Sequence, residues 1–147
     1  MVSPILCVCT GNICRSPVAE AALRAALPDC QVSSAGLHAL TGHGIDPDSA
    51  AAARQRDIPL MDHAARQFTT QIGAAAELIL VMDRSHRDEI AGRWPQFSGK
   101  TMLLGHFENG KDIPDPYRMG ADMHQRAVDM ILDSVAFWVP QLDAMRG

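Results

Sequence analysis

The sequence predicts an α/β fold: a single domain over residues 1–147, built on a parallel four-stranded sheet with helices on both faces. Three observations carry that prediction. Short unbroken apolar runs, the mark of strands buried on both faces, recur along the chain. They alternate with segments of helical character, as a parallel sheet covered by helices requires. At 147 residues the chain is long enough to bury one core and too short for two.

The elements follow in order. Ile5-Leu6-Cys7-Val8-Cys9 reads as a doubly buried strand. Thr10-Gly11-Asn12 breaks it with residues that tolerate positive φ. A helix is expected next, with Ser16 as N-cap, Pro17 at its first position, Glu20 near its positive end and Pro28 closing it. Gln31 to Ala35 reads as a second strand, ended by Gly36. After a loop containing Gly42 and Gly44, Asp46-Pro47 starts a helix running to about Arg56, and Phe68 to Ala75 is read as helical. Leu78-Ile79-Leu80-Val81-Met82 is a third strand, followed by a helix from Asp83 to Ala91. Met102-Leu103-Leu104 is a fourth, and Gly110 to Met119, with two prolines, is a loop. From Ala121 to about Met145, Met123, Ala127, Met130, Ile131, Val135, Trp138 and Leu142 recur at helical spacing. Pro140 is expected to kink or shorten that helix.

Composition narrows the function. Hydrophobic residues at 47% and charged residues at 20% exclude a disordered or fibrous chain. A net charge of −4 argues against a general nucleic-acid binder. No apolar run approaches the roughly 20 residues of a membrane span, so no membrane insertion is expected. Met1-Val2-Ser3-Pro4 lacks the basic start and apolar stretch of a secretory leader, which makes cytoplasmic the default location. The cysteines Cys7, Cys9, Cys14 and Cys30 crowd into the first fifth of the chain, unlike those of a disulfide scaffold. Cys7 and Cys30 read as buried hydrophobes. The four show no Cys-x2-Cys spacing and no paired histidines accompany them, which disfavours a zinc site built from them. Gly42-His43-Gly44-Ile45 is half a dinucleotide fingerprint without its preceding strand, and no Walker loop is present. The apolar stripe of the last helix is core packing, and Arg84 and Arg87 sit on a solvated helix face.

In parallel sheets, ligands bind at the carboxyl ends of strands. The loop after the first strand reads Cys9-Thr10-Gly11-Asn12-Ile13-Cys14-Arg15-Ser16-Pro17. A chain turning there from strand to helix aims successive N–H groups into one concavity, an anion nest. The helix adds its positive end to the same point. Arg15 supplies a planar fork that matches a phosphate bidentately. An oxyanion held there sits over Cys9, and a Ser16 hydroxyl donor helps keep that sulfur a thiolate. The first loop is thus expected to be a phosphate loop.

A cysteine, five residues and an arginine, placed between a buried strand and a helix, resembles the signature of the low-molecular-weight protein tyrosine phosphatases. The resemblance extends to Ser34-Ala35-Gly36, to His63-Ala64-Ala65-Arg66-Gln67 and to Asp115-Pro116-Tyr117, which looks like that family's general-acid loop. It implies that Cys9 is the nucleophile and Arg15 the phosphate clamp, with Thr10, Gly11, Asn12, Ile13, Cys14 and Ser16 completing the phosphate site. Ser16 would stabilise the thiolate and Asn12 would hold the loop in its strained shape. His63 would brace the loop; most of the other histidines, at 38, 43, 86, 106 and 124, are read as surface or capping residues. Asp115 would protonate the leaving phenolate and then activate water against the phosphocysteine. No metal or cofactor is implied, and inorganic phosphate or vanadate should inhibit. Leu40, Tyr117 and Arg118 would form the substrate rim. Leu40 stands where mammalian members carry an aromatic residue, and Arg118 replaces a second tyrosine. Both features resemble bacterial members encoded beside capsule or exopolysaccharide tyrosine kinases, which implies a phosphotyrosine protein, a bacterial tyrosine kinase, as partner. Cys14 is near enough to Cys9 in sequence for a protective disulfide.

Two other readings compete. Arsenate reductases share the loop, but they need further cysteines to resolve the arseno-thiol intermediate, and none follows Cys30. A silent phosphotyrosine-binding module would have no use for Asp115.

Overall fold

Strand β1 (Ile5–Cys9) is buried at every residue because it lies inside the sheet, with strands on both sides and helices on both faces. The computed structural model describes residues 2–145; Met1, at the head of the segment read for a leader, lies outside the described residues, as do Arg146 and Gly147. β1 pairs in parallel with β2 (Val32–Gly36) on one side and β3 (Leu78–Val81) on the other. β4 (Thr101–Leu103) extends the sheet beyond β3, giving the order β2-β1-β3-β4, all parallel. The chain leaves β1 toward β2 and later returns to β3 on the opposite side. The topological switch point, where a crevice opens, is therefore the carboxyl end of β1.

Alternation along β1 divides the core. Ile5, Cys7 and Cys9 join Leu80, Met82 and residues of α1 (Arg15–Ala26), α2 (Pro47–Gln55) and α5 (Ala121–Ala144), including Leu23, Ala53, Ile131 and Trp138. Leu6 and Val8 join Ile79, Val81, Phe68, Ile90, Trp94 and Phe97 on the other face, near α3 (Thr70–Ala75) and α4 (Arg84–Arg93). The expected four-stranded parallel sheet with helices on both faces is what forms. Among the described residues, no helix is long and apolar enough to cross a membrane.

Several local expectations are corrected. The first helix starts at Arg15 with Cys14 as N-cap, so Ser16 is not a cap and Pro17 is not at the first position. The N–H groups at this helix end are left for the concavity, and the Ser16 hydroxyl turns to Cys9 and Asn12 instead. Glu20 lies beyond the first turn and accepts a hydrogen bond from Ser34. Phe68 precedes α3 and packs on Trp94, ring centroids 4.6 Å apart. α5 is not cut short at Pro140; it runs on to Ala144, because the carbonyl that Pro140 leaves without a donor belongs to exposed Ala136. Cys30 is only partly buried. Asp46, by contrast, caps α2 as read, accepting from the N–H groups of Asp48 and Ser49.

Candidate active site

The loop after β1 is fastened from outside through its carbonyls. The oxygens of Cys9, Thr10, Gly11 and Ile13 accept from the backbone N–H groups of Leu37, His38, Leu40 and Asp46, at 2.8–3.0 Å. The Asn12 carbonyl accepts from His63 Nε2 at 2.6 Å. A trans peptide points its C=O and the following N–H in opposite directions. Binding five successive carbonyls outward therefore turns the N–H groups of residues 10–14 inward, into a nest.

Asn12 holds the turn. It sits in the left-handed region (φ 60), a conformation asparagine accepts more readily than most residues. Its buried amide donates to Ser16 Oγ at 2.8 Å and Ser34 Oγ at 2.9 Å, while its Oδ1 accepts from the Arg66 N–H. With the Ser16 oxygen taken by Asn12, the Ser16 proton is directed to Cys9 Sγ, 2.9 Å away. Ser34 passes its own proton to Glu20. Gly36 closes the same wall: a Cβ there would lie 2.5 Å from the Thr10 carbonyl oxygen and 3.0 Å from the Asn12 nitrogen.

Arg15 is almost fully buried and is held from behind. Nη1 donates to Asp83 Oδ2 and to the Ile113 carbonyl, both at 2.8 Å. Nη2 faces Thr10 Oγ1 at 3.5 Å and Asp115 Oδ2 at 3.7 Å. Burial works to raise the Asp83 pKa, but hydrogen bonds from Ser85 and Arg15, helped by their neighbours' charge, outweigh it and hold the carboxyl below its usual range. His86, beside it, completes a capping box with Asp83 and stands 2.9 Å from Thr10 Oγ1. Its Nδ1 accepts from the Asp83 N–H, so Nε2 carries the proton and donates to Thr10. Burial, and then the Arg15 charge, push the His86 pKa down to about 4.

Cys9 and Arg15 line a cavity of about 130 Å³ together with Gly11, His38, Leu40, Asp115 and Tyr117. Asp115 is half exposed; Oδ1 accepts from the Tyr117 N–H, which leaves Oδ2 toward Arg15. Arg118 stacks its guanidinium 5.1 Å from the Tyr117 ring centre and is absent from the cavity lining. Cys14 is buried, and burial first, offset in part by a Ser49 hydrogen bond, pushes its thiol up to about 12. Cys9 and Cys14 are both free thiols. The Cys7 thiol, fully buried, is pushed up further still.

The structure thus brings Cys9, Thr10, Gly11, Ile13, Cys14, Arg15, Leu40, Asp115 and Tyr117 to one cavity, with Asn12, Ser16 and His63 bracing it. Sequence reasoning misses Asp83, His86 and His38 as neighbours of the site, and gives Ser34, within the resembling Ser34-Ala35-Gly36, no role there. His38, His43 and His106 are exposed and His86 caps α4, as read for most of the set, whereas His124 is buried and caps nothing in α5. The available signal is weak: Asp83 reads only as the start of a helix, and Ser34-Ala35-Gly36 as a strand end that resembles the family without assigning Ser34 a partner.

Comparison with known proteins agrees with the fold. The pattern of the low molecular weight phosphotyrosine protein phosphatases matches residues 4–146. The low molecular weight protein-tyrosine-phosphatase Wzb of Salmonella typhimurium is 40% identical over 147 residues, covering all of this chain and 99% of its own. The tyrosine phosphatase Wzb of Escherichia coli K30, solved with sulphate, superposes with a TM-score of 0.93 at 38% identity, over 97% of this chain and 99% of that one. Wzb of Vibrio vulnificus, solved with benzylphosphonate, gives 0.92 at 34% identity, over 96% and 99%. The chain belongs to the low molecular weight phosphotyrosine protein phosphatase family.

Proposed function

We propose that this phosphatase hydrolyses phosphotyrosine in two displacements through a phosphocysteine. The observation that carries the reading is a single cavity lined both by buried Cys9 and by half-exposed Asp115, whose Oδ2 lies 3.7 Å from Arg15 Nη2. The Cys9 thiolate attacks phosphorus while the bond to the tyrosine oxygen breaks, and Asp115 gives that oxygen its proton. Water then attacks the phosphocysteine, Asp115 takes a proton from it, and the P–S bond breaks to release phosphate. The inward N–H groups and the free edge of Arg15 carry the charge of the transferring group in both steps. No metal is needed in this scheme. The neighbours solved with sulphate and benzylphosphonate support an oxyanion in the nest and inhibition by phosphate or vanadate.

The rim formed by Leu40, Tyr117 and Arg118 would receive a phosphotyrosine protein. The resemblance noted above makes that partner a bacterial tyrosine autokinase of polysaccharide export, met in the cytoplasm. Exchange of the purified phosphatase with such a phosphorylated kinase tests the pairing.

Cys9→Ser tests the mechanism. It should abolish turnover while leaving phosphate and vanadate binding, because the nest and Arg15 remain. Acid-quenched wild-type enzyme should carry phosphate on Cys9 by mass spectrometry. Residual activity above about 1% would overturn the nucleophile assignment, since its loss should cost several kcal/mol.

A further inference from the structure

Three helix starts converge beside the anion loop: Cys14 caps α1, Asp46 caps α2, and His124 lies in the first turn of α5. We propose that Cys14, Asp46 and His124 form a second site, one that binds a zinc-class divalent cation. One donor atom from each lies within 4.8 Å of the other two. Three points so spaced share a centre within about 2.8 Å of each, against zinc bond lengths of about 2.0–2.3 Å. A contraction of about half an ångström per ligand closes the set.

The arrangement of His124 favours coordination. Its Nδ1 is 2.6 Å from Ser49 Oγ, the outer hydrogen bond that fixes the ring of a metal-binding histidine. Its Nε2 stands 3.7 Å from Asp46 Oδ1. That separation is too long for a hydrogen bond and near the roughly 3.3 Å edge of a zinc tetrahedron. Sulfur, imidazole and carboxylate together suit zinc, whereas magnesium and calcium prefer oxygen alone. His124 and Cys14 are buried, which shields the ion. Asp46 is partly exposed and lines an open groove with Ile13, Leu40, Gly44 and Tyr117, which gives the ion a way in and water a fourth position. On binding, the Cys14 thiol proton leaves to solvent and a metal–sulfur bond replaces the S–H bond.

This set is distinct from the four-cysteine cluster that spacing disfavours, and its three donor side-chain atoms have no step in the phosphoryl chemistry proposed above, to which Cys14 lends only its N–H. Its consequence is mechanical. The Asp46 N–H already binds the Ile13 carbonyl, so an ion would tie the loop to α2 and α5 together.

The test uses the Cys9→Ser protein, so that the pocket thiol cannot serve as a ligand and failure of the catalytic reading does not affect the result. Titration with Co²⁺ should show one equivalent bound with a thiolate-to-cobalt charge-transfer band, displaced by Zn²⁺. His124→Gln and Asp46→Asn should each weaken binding at least about 10-fold, the scale on which even outer partners of a metal act. Asn keeps the α2 cap, so Asp46→Asn decides alone if His124→Gln does not fold. Absence of the charge-transfer band, or a band whose affinity Asp46→Asn leaves unchanged, would overturn the proposal.

Discussion

Arg15 Nη1 and Asp83 Oδ2 meet at 2.8 Å, so the arginine of the anion loop is anchored by the residue that caps α4. One end of the guanidinium is spent on Asp83 and the Ile113 carbonyl, and the other is fixed toward the cavity. An arginine clamping a phosphoryl group gains from being held before the substrate arrives.

Asp83→Asn should therefore lower kcat/KM by about 10–100-fold, the scale of one charge-assisted hydrogen bond. Asn preserves the α4 cap, so the loss should exceed any fall in thermal stability. Steady-state kinetics beside a melting curve checks this. A kcat/KM within twofold of wild type would show that the loop and the Ile113 carbonyl position Arg15 without the Asp83 charge.

Asp115→Asn separates acid catalysis from loop shape. Nitrophenolate leaves well without a proton, whereas the phenolate of phosphotyrosine, whose conjugate acid has a pKa near 10, does not. Phenyl phosphate and phosphotyrosine should slow by an extra factor of about 10–10² over a nitrophenyl ester. Initial rates across a series of aryl phosphates decide it. Equal slowing of every substrate would mean that Asp115 acts only through its turn with Tyr117.

Gly36→Ala should strike the loop through β2. The added carbon meets backbone at 2.5 Å rather than a movable side chain. A destabilisation of about 1–3 kcal/mol is expected from the crowding, together with weaker phosphate inhibition. Denaturant midpoints and a phosphate inhibition constant measure both. A variant that matches wild type in each would show that Thr10 and Asn12 can yield.

His86 sets an acid limit on stability. Its folded pKa of about 4 lies below the ordinary 6.5, so the folded state resists a proton that the unfolded chain accepts. The stability it preserves is fully present above pH 6.5 and is lost as pH falls toward 4, in all about 3 kcal/mol. His86→Gln should remove that much of the slope. Urea unfolding at pH 7, 5.5 and 4.5 for both proteins tests the difference, and parallel slopes would refute it.

Local chemistry made the sheet and the loop readable. Apolar runs mark β1 and β3 because both are covered on two faces, and Asp46-Pro47 announces α2 because the cap acts within three residues. Cys9 and Arg15 are legible as a pair because one turn of chain holds them. Asp83 and His86 are not, because what joins them to Arg15 and Thr10 is the pairing of β1 with β3, at separations of 68 and 76 residues. Ser16 was misplaced for a related reason. A serine before a proline looks like a cap, and nothing local shows that Cys9 and Asn12 claim its hydroxyl. The burial of His124 depends on α2 packing against α5, which α5's own apolar stripe does not reveal.

The loop is gripped almost wholly by main-chain donors: Leu37, His38, Leu40 and Asp46 hold it through N–H groups that any residue but proline possesses. The cup is therefore indifferent to most of the side chains it carries. Ile13 faces the cavity yet contributes nothing but its carbonyl to that grip. The protein is in this sense modular, with oxyanion capture written in the backbone and selectivity left to a few replaceable side chains. A library randomised at positions 13 and 40 should yield folded catalysts with altered ester preference far more often than one randomised at 12, 16 and 36.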